Sequence, residues 1–469
     1  MSSSKRVLSV FSLVMINVIA VDNLRTLPVS AQLGGSLIAY YLLAAIAFFI
    51  PIALVAAELA TAYPSTGGLY VWVREAFGRR VAFMTIWLQW IYNVVWYPTI
   101  LVFIVTTMAY LFIPELAKNR IYLLGTSLSL FWLMTLLNCF GMRISGFVSI
   151  LGALIGTLVP MIGITVLGCL WIIQGRPLAI DLPIQWLPHL NSFGNASLFS
   201  AVLFGLLGIE MSAMHAEEVK NPQRDYPRAL LYSMLIIFST LVLGSLAIVM
   251  VVPKDSLNVV SGLIDAYDLF FKAYHMPWMT SITAVLIILG GLSGVSAWII
   301  GPTKGLLVSA RDGCIPQTFT RMNRYGAPTR ILLVQGIIVT LLSSVFILSD
   351  TIYAGYWILT IMCAQMALLV YVFMFAAAIK LRYSQPERPR AYRIPGGKPG
   401  IWIVALTGLL CCLFAIIIGF IPPQDIPIQN LSFFEGFLIG GLILFVVIPW
   451  CLAKRVGPKA QPTSNPYSK

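Results

Sequence analysis

An acid, an amide and a base stand within four positions of one another in an apolar run, Ile19-Ala20-Val21-Asp22-Asn23-Leu24-Arg25-Thr26-Leu27-Pro28. Later in the chain, Phe204-Gly205-Leu206-Leu207-Gly208-Ile209-Glu210 sets two glycines ahead of a carboxylate in equally apolar surroundings. A carboxylate takes an ammonium, and a guanidinium forks onto a carboxylate. Helix ends left by a break offer bare N–H groups to an anion and bare carbonyls to a cation. Together these types suit a small zwitterion. The same residues admit a plainer reading: Asp22 and Arg25, three apart, can pair with each other. Glu210 can hold a broken helix by accepting backbone N–H bonds, with or without taking up a proton. The residues alone leave both readings open.

The elements that must position these groups follow from composition. Of 469 residues, 59% are apolar and only 10% charged, with a mean hydropathy of +0.90. A soluble chain carries roughly 25% charged residues, so this one is an all-α polytopic membrane protein. The same figures exclude collagen, disordered and disulfide-scaffold classes. Apolar stretches fall at about 7–32, 35–62, 80–113, 121–140, 144–174, 196–218, 229–252, 280–308, 331–349, 353–380, 401–421 and 432–453. Each is long enough for a helix of about 20 residues to cross the hydrocarbon layer. About twelve crossings put both termini on one face.

Lys118, Arg120, Arg176, Lys254 and Lys272 lie on one side of that topology and Arg25 within a span; every other basic residue of the 30 lies on the other side. By the positive-inside rule that richer side is cytoplasmic, which makes both termini cytoplasmic and predicts a multi-pass protein of the inner membrane. The net charge of +13 is then topology, and nucleic acid is not expected as a partner. No cleavable leader is expected, since the first apolar run leads into Asp22 and Arg25.

Charge inside a span costs roughly 2.5–3.5 kcal/mol per residue on insertion scales, so the two polar stretches need a reason. Glycine tolerates non-helical dihedrals and proline removes a donor, so both stretches can unwind. Unwound backbone at membrane depth is tolerated where it lines a cavity or is buried in protein. Paired breaks in two halves of a chain point to a carrier's binding site. They correspond here if residues 7–174 and 175–382 are inverted repeats of five spans each, between a cytoplasmic N-terminus at 1–6 and spans 11 and 12 at 383–453, with a cytoplasmic tail at 454–469.

Motifs around the second break resemble a known family. Gly208-Ile209-Glu210, followed by Glu218-Val219-Lys220-Asn221-Pro222-Gln223-Arg224-Asp225-Tyr226-Pro227, is similar to the sixth-span signature of the amino acid/polyamine/organocation (APC) transporters. Gly67-Gly68-Leu69-Tyr70-Val71-Trp72 resembles their loop after span 2. Trp298 to Gly305, Met322 to Pro328, Ile394 to Lys398 and Ile421-Pro422-Pro423 resemble the glutamate/GABA antiporter branch. The resemblance implies a LeuT-like 5+5 fold with two further helices, and exchange of an amino acid for a related amino acid or its decarboxylated amine by alternating access. A proton-coupled symporter is the alternative. The resemblance places Val21, Asp22 and Asn23, with Gly205, Leu206 and Gly208, at the substrate-binding breaks and Phe204 over the substrate; Ala20 and Arg25, beside the first break, join them as substrate-binding candidates on their own position and chemistry. Glu210, Trp298 and Tyr371 become the gating or proton-sensing residues. The first break departs from the family in lacking glycine and in carrying Asp22 and Arg25. The short chain after 453 predicts no C-terminal plug and no pH gating by one.

Other groups read more plainly. Glu58, toward the cytoplasmic end of span 2, suits an inner gate or a structural ion pair, and Gln365 a cavity lining. Trp87, Trp90, Tyr92, Trp96 and Tyr97 suit packing or interface anchoring, and Lys304 and Arg311 a cytoplasmic loop or lipid headgroups. His189, His215 and His275 are isolated and the seven Cys lack ligand spacing. No metal, no cofactor and no enzyme chemistry are therefore expected. The expected partners are the amino acid or amine substrate and membrane lipid, with a homodimer left open.

Overall fold

The computed structural model describes residues 8–64, 67–140, 152, 154–179, 193–311, 313–423, 428 and 430–454. His189 and Arg143 lie outside these, and the side chains of His215, Lys304 and Arg311 are not described. Among the described residues the secondary structure is helical apart from one isolated bridge, Leu8 to Val219. Among the described residues ten helices are long and apolar enough to cross a membrane, and they coincide with the second to fifth and seventh to twelfth expected stretches.

The first and sixth stretches are interrupted. Helix α1 (Val10–Val21) is followed after a four-residue gap by α2 (Thr26–Ala31). Further on, α8 (Phe193–Gly205) gives way to a turn and then a 3-10 segment, Ile209–Glu218. Between these lie α3 (Gly34–Ala62), α4 (Leu69–Phe77), α5 (Arg79–Phe112), α6 (Arg120–Cys139) and α7 (Leu154–Ile173). After them come α9 (Pro222–Val251), α10 (Gly262–Ala273), α11 (Met279–Arg311), α12 (Thr329–Leu348), α13 (Ile352–Ser384), α14 (Gly397–Ile418) and α15 (Leu431–Lys454). Helices α4 and α10 lie in segments that the hydropathy pattern reads only as connections. Helices α9 and α13 run several residues beyond their apolar stretches, because a helix continues past the hydrocarbon boundary.

Burial ranks the helices. In α5 and α13, 83% of the most apolar window is buried inside the protein, against 22% in α15. The former pair is thus the inner scaffold and the latter a peripheral helix. Outer faces carry exposed apolar side chains such as Ile173, Ile403, Ile417 and Leu444, which suit hydrocarbon as solvent. Small residues permit close helix approach where no hydrophobic drive operates between helices. At one point α7 and α11 touch backbone to backbone: a Cβ on Gly156 would lie 2.2 Å from the Gly290 nitrogen. All seven cysteines are free.

Candidate functional site

The first break begins at Asp22, whose extended backbone (ψ 107) closes α1. Short polar side chains then replace the missing helical bonds. Asn23 Oδ1 accepts from the Arg25 N–H at 3.2 Å, and Thr26 Oγ1 donates to the Asn23 carbonyl at 2.7 Å. Pro28 is tolerated because it sits in the first turn of α2, where its missing N–H has no partner to lose. In the second break Gly208 has φ +107, a conformation that side-chain-bearing residues rarely adopt.

The two breaks meet. A Cβ on Gly208 would lie 3.5 Å from the Ala20 carbonyl oxygen and 3.6 Å from Val21, and one on Gly205 would lie 3.5 Å from Thr26. Beside them is a cavity of ≈ 30 Å³ lined by Ala20, Asp22, Asn23, Trp96, Thr157 and Trp298, among others. That volume suits one or two waters, and anything larger would need the surrounding helices to part. Trp96 and Trp298 flank it with ring centroids 6.3 Å apart.

Asp22 and Arg25 do not pair, which sets aside the simple reading of their spacing. The i,i+3 rule presupposes a helix, and the chain is unwound between them. Both carboxylate oxygens of Asp22 accept from Thr240 Oγ1 of α9 at 3.1 Å. Arg25 turns elsewhere: Nη1 donates to Tyr356 Oη at 3.0 Å and to Thr360 Oγ1 at 3.4 Å on α13. Its guanidinium lies 5.2 Å from the Phe204 ring centroid and 5.6 Å from that of Tyr356. Asp22 and Arg25 are both buried.

Glu210 is held by Tyr371, whose hydroxyl donates to Glu210 Oε2 at 2.7 Å while accepting the Gly208 N–H at 3.0 Å. The backbone of the break, the phenol and the carboxylate thus form one short chain of hydrogen bonds. Just below, buried Asn17 ties the two broken elements to α9: its Oδ1 accepts the Ser212 N–H and its Nδ2 donates to Ser233, both at 3.2 Å.

Of the residues singled out from sequence, Ala20, Asp22, Asn23 and Trp298 gather at the cavity. Val21 packs against Gly208, Phe204 lies against Arg25, Leu206 is wholly buried, and Tyr371 joins Glu210. Gln365 instead donates to the Ile416 carbonyl at 3.0 Å, packing against α14 rather than lining the cavity. Glu58 is a structural ion pair in the geometry seen: it meets Arg382 at 2.7 Å, Arg390 at 3.2 Å and the Ile394 N–H at 2.9 Å. Thr240, Tyr356, Thr360 and Asn17 escaped notice, since a hydroxyl or amide in an apolar helix carries no signal of what it faces.

Away from the breaks, a cavity of ≈ 210 Å³ lies among Tyr110, Lys118, Asn258, Ser261 and Tyr353. Beside it, on α10, Asp265 accepts from Tyr110 and from Ser261. Burial pushes its carboxyl above the ordinary 3.8, further than those hydrogen bonds pull it down.

A many-helix membrane bundle with two interrupted helices in mutual contact has the form of a solute carrier. The chain belongs to the amino acid permease family, whose sequence pattern matches residues 6–455. It is 70% identical over 455 residues to an uncharacterized transporter of Legionella pneumophila subsp. pneumophila, covering 97% of this chain and 98% of that one. It is 27% identical over 431 residues to a glutamate/gamma-aminobutyrate antiporter of Lactococcus lactis subsp. lactis, covering 90% and 85%. A probable agmatine/putrescine antiporter of the same subspecies is 24% identical over 468 residues, covering 97% and 96%. The resemblance read from the motifs therefore holds.

Proposed function

We propose that this permease is an amino acid antiporter that exchanges an amino acid for a related amino acid or its decarboxylated amine by alternating access. The observation that carries the reading is the meeting of the two helix breaks beside a small cavity that Asp22 and Asn23 help to line, with Asp22 and Arg25 turned toward different partners. Asp22 would take the substrate ammonium, displacing its bond from Thr240. Trp96 and Trp298 would close over the bound molecule. A substrate drives the step between outward- and inward-facing states only through its different affinity for the two. The names of the Lactococcus relatives support exchange over one-way uptake.

The reading includes a LeuT-like arrangement, with the repeats at 7–174 and 175–382, both termini cytoplasmic, and placement in the inner membrane. Proton-coupled symport is the second reading, favoured by the buried Gly208–Tyr371–Glu210 chain, which offers one carboxylate for a proton. Counterflow in proteoliposomes separates the two. Exchange predicts that uptake of a labelled amino acid requires unlabelled amino acid inside. Undiminished uptake into empty vesicles, driven by an imposed pH gradient, would refute exchange in favour of symport.

A further inference from the structure

Arg25 is the one residue of the first break whose needs the protein leaves half met. The residue is 1% exposed, and only Nη1 has acceptors, the hydroxyls of Tyr356 and Thr360. Nε and Nη2 are both buried without a hydrogen-bond partner. Among the described residues no carboxylate lies within ion-pair distance of it, Asp22 included. The rings of Phe204 and Tyr356 lie near the guanidinium. They temper its charge by cation–π attraction but supply no lone pairs for two N–H groups. A buried, always-charged group without a counter-ion is costly, and Arg25 carries that cost between the two breaks, against Phe204, where an anionic ligand group would relieve it.

The geometry of the two remaining N–H groups identifies the kind of anion. Nε and Nη2 form one edge of the planar guanidinium fork, with two parallel N–H bonds that match the two oxygens of a carboxylate side-on. Tyr356 and Thr360 occupy Nη1 and so fix the fork with that edge free. We infer that the Nε–Nη2 edge of Arg25 is a carboxylate-binding site, so that the ligand of this permease carries a carboxylate there and diamines are rejected. The inference rests on the carrier reading and narrows its substrate class. A diamine would bring a second cation to a site that already holds an uncompensated one, and would leave both N–H groups unmet. Asp22, on the other side of the break, serves the ammonium of the same ligand.

The test measures binding to the purified full chain with ligands paired by a single change, carboxylate to carboxamide. Glutamate against glutamine probes a side-chain carboxylate, leucine against leucinamide an α-carboxylate, and putrescine is the diamine. Loss of the carboxylate that meets Arg25 should weaken binding by about 10- to 100-fold, with putrescine weaker still. In Arg25→Gln that difference between acid and amide should shrink to a few-fold, whereas a merely structural arginine would lower affinity for both members equally. Tyr356→Phe, which removes the nearer of the two acceptors of Nη1 and loosens the fork, should narrow the difference partway. The wild-type ligand pairs decide the matter even if Arg25→Gln fails to fold. Amides or putrescine binding as tightly as the acids, or chloride protecting the protein as well as they do, would overturn this inference and leave the carrier reading standing. No binding of any amino acid would remove the carrier reading and this inference with it.

Discussion

Replacing Glu58 by Gln should strip the carboxylate from a pair of buried cations, Arg382 and Arg390. The Glu58 side chain is 4% exposed and those of Arg382 and Arg390 are 1% and 4%, so none of the charges falls back on water. The carboxylate holds three elements: the end of α3, the end of α13 through Arg382, and the segment after α13 through Arg390 and the Ile394 N–H. Removing one partner of a buried ion pair costs about 3–5 kcal/mol, because the remaining charge stays uncompensated. The amide oxygen can keep both Ile394 and Arg382, which meet Oε2, but its NH₂ then faces the Arg390 guanidinium, which needs an acceptor. Thermal unfolding in detergent should show the variant melting several degrees lower, with faster proteolysis in the segment at 385–396. The double variant Glu58→Gln/Arg382→Met should recover part of the loss, since deleting both charges is gentler than deleting one. A single variant within about 0.5 kcal/mol of wild type, the range of an ordinary surface change, or a double variant less stable than the single, would refute the argument.

Glu210→Gln should change the pH profile of transport more than the amount of folded protein; an identical profile would end its role as a proton carrier. Asp22→Asn should weaken amino acid binding by about 1–3 kcal/mol if the carboxylate meets an ammonium in a dry site, and unchanged affinity in isothermal titration would assign Asp22 a structural task. Gly208→Ala should lower stability by about 1–2 kcal/mol from backbone strain alone, because the new methyl would meet its neighbours at ordinary contact distances of 3.5 Å and more; a stable, fully active alanine variant would show that the positive φ is dispensable. Asp265, whose carboxyl burial raises, binds its proton more tightly folded than unfolded. Wild type should therefore lose stability relative to Asp265→Asn as pH rises from about 4, and equal melting shifts at every pH would count against that.

The sequence was most informative where a one-dimensional anomaly has a three-dimensional meaning. Charges, proline and paired glycines in an apolar run show as interruptions, and residues 22–25 and 206–208 do unwind. The long spans were legible for the same reason, since hydrocarbon thickness sets a length that hydropathy reports. Partners across the bundle were not legible: Asp22 meets a hydroxyl 218 positions away and Arg25 one 331 positions away, and neither helix marks those residues by periodicity. Tyr371 came through only by family likeness, its place beside Glu210 depending on how α13 lies against the second break. Gln365 went astray because an amide in an apolar helix looks the same whether it faces a cavity or a neighbour's carbonyl. Helices α4 and α10 were missed because a short amphipathic helix in a connection lacks the apolar length on which the span search depends.

The backbone contact between Gly156 and Gly290 bears on how such a protein can change shape. Those strands of main chain are already as near as atoms permit, and Gly156 sits in the widened π turn that opens α7. A side chain on either glycine would force α7 and α11 apart there, so the close crossing depends on both positions staying glycine. The cavity is lined by Gly290 itself and by Thr157, one position from Gly156. Were the two helices to turn about that crossing, a small angular change would open or shut the space beside it while their far ends swept through much larger arcs.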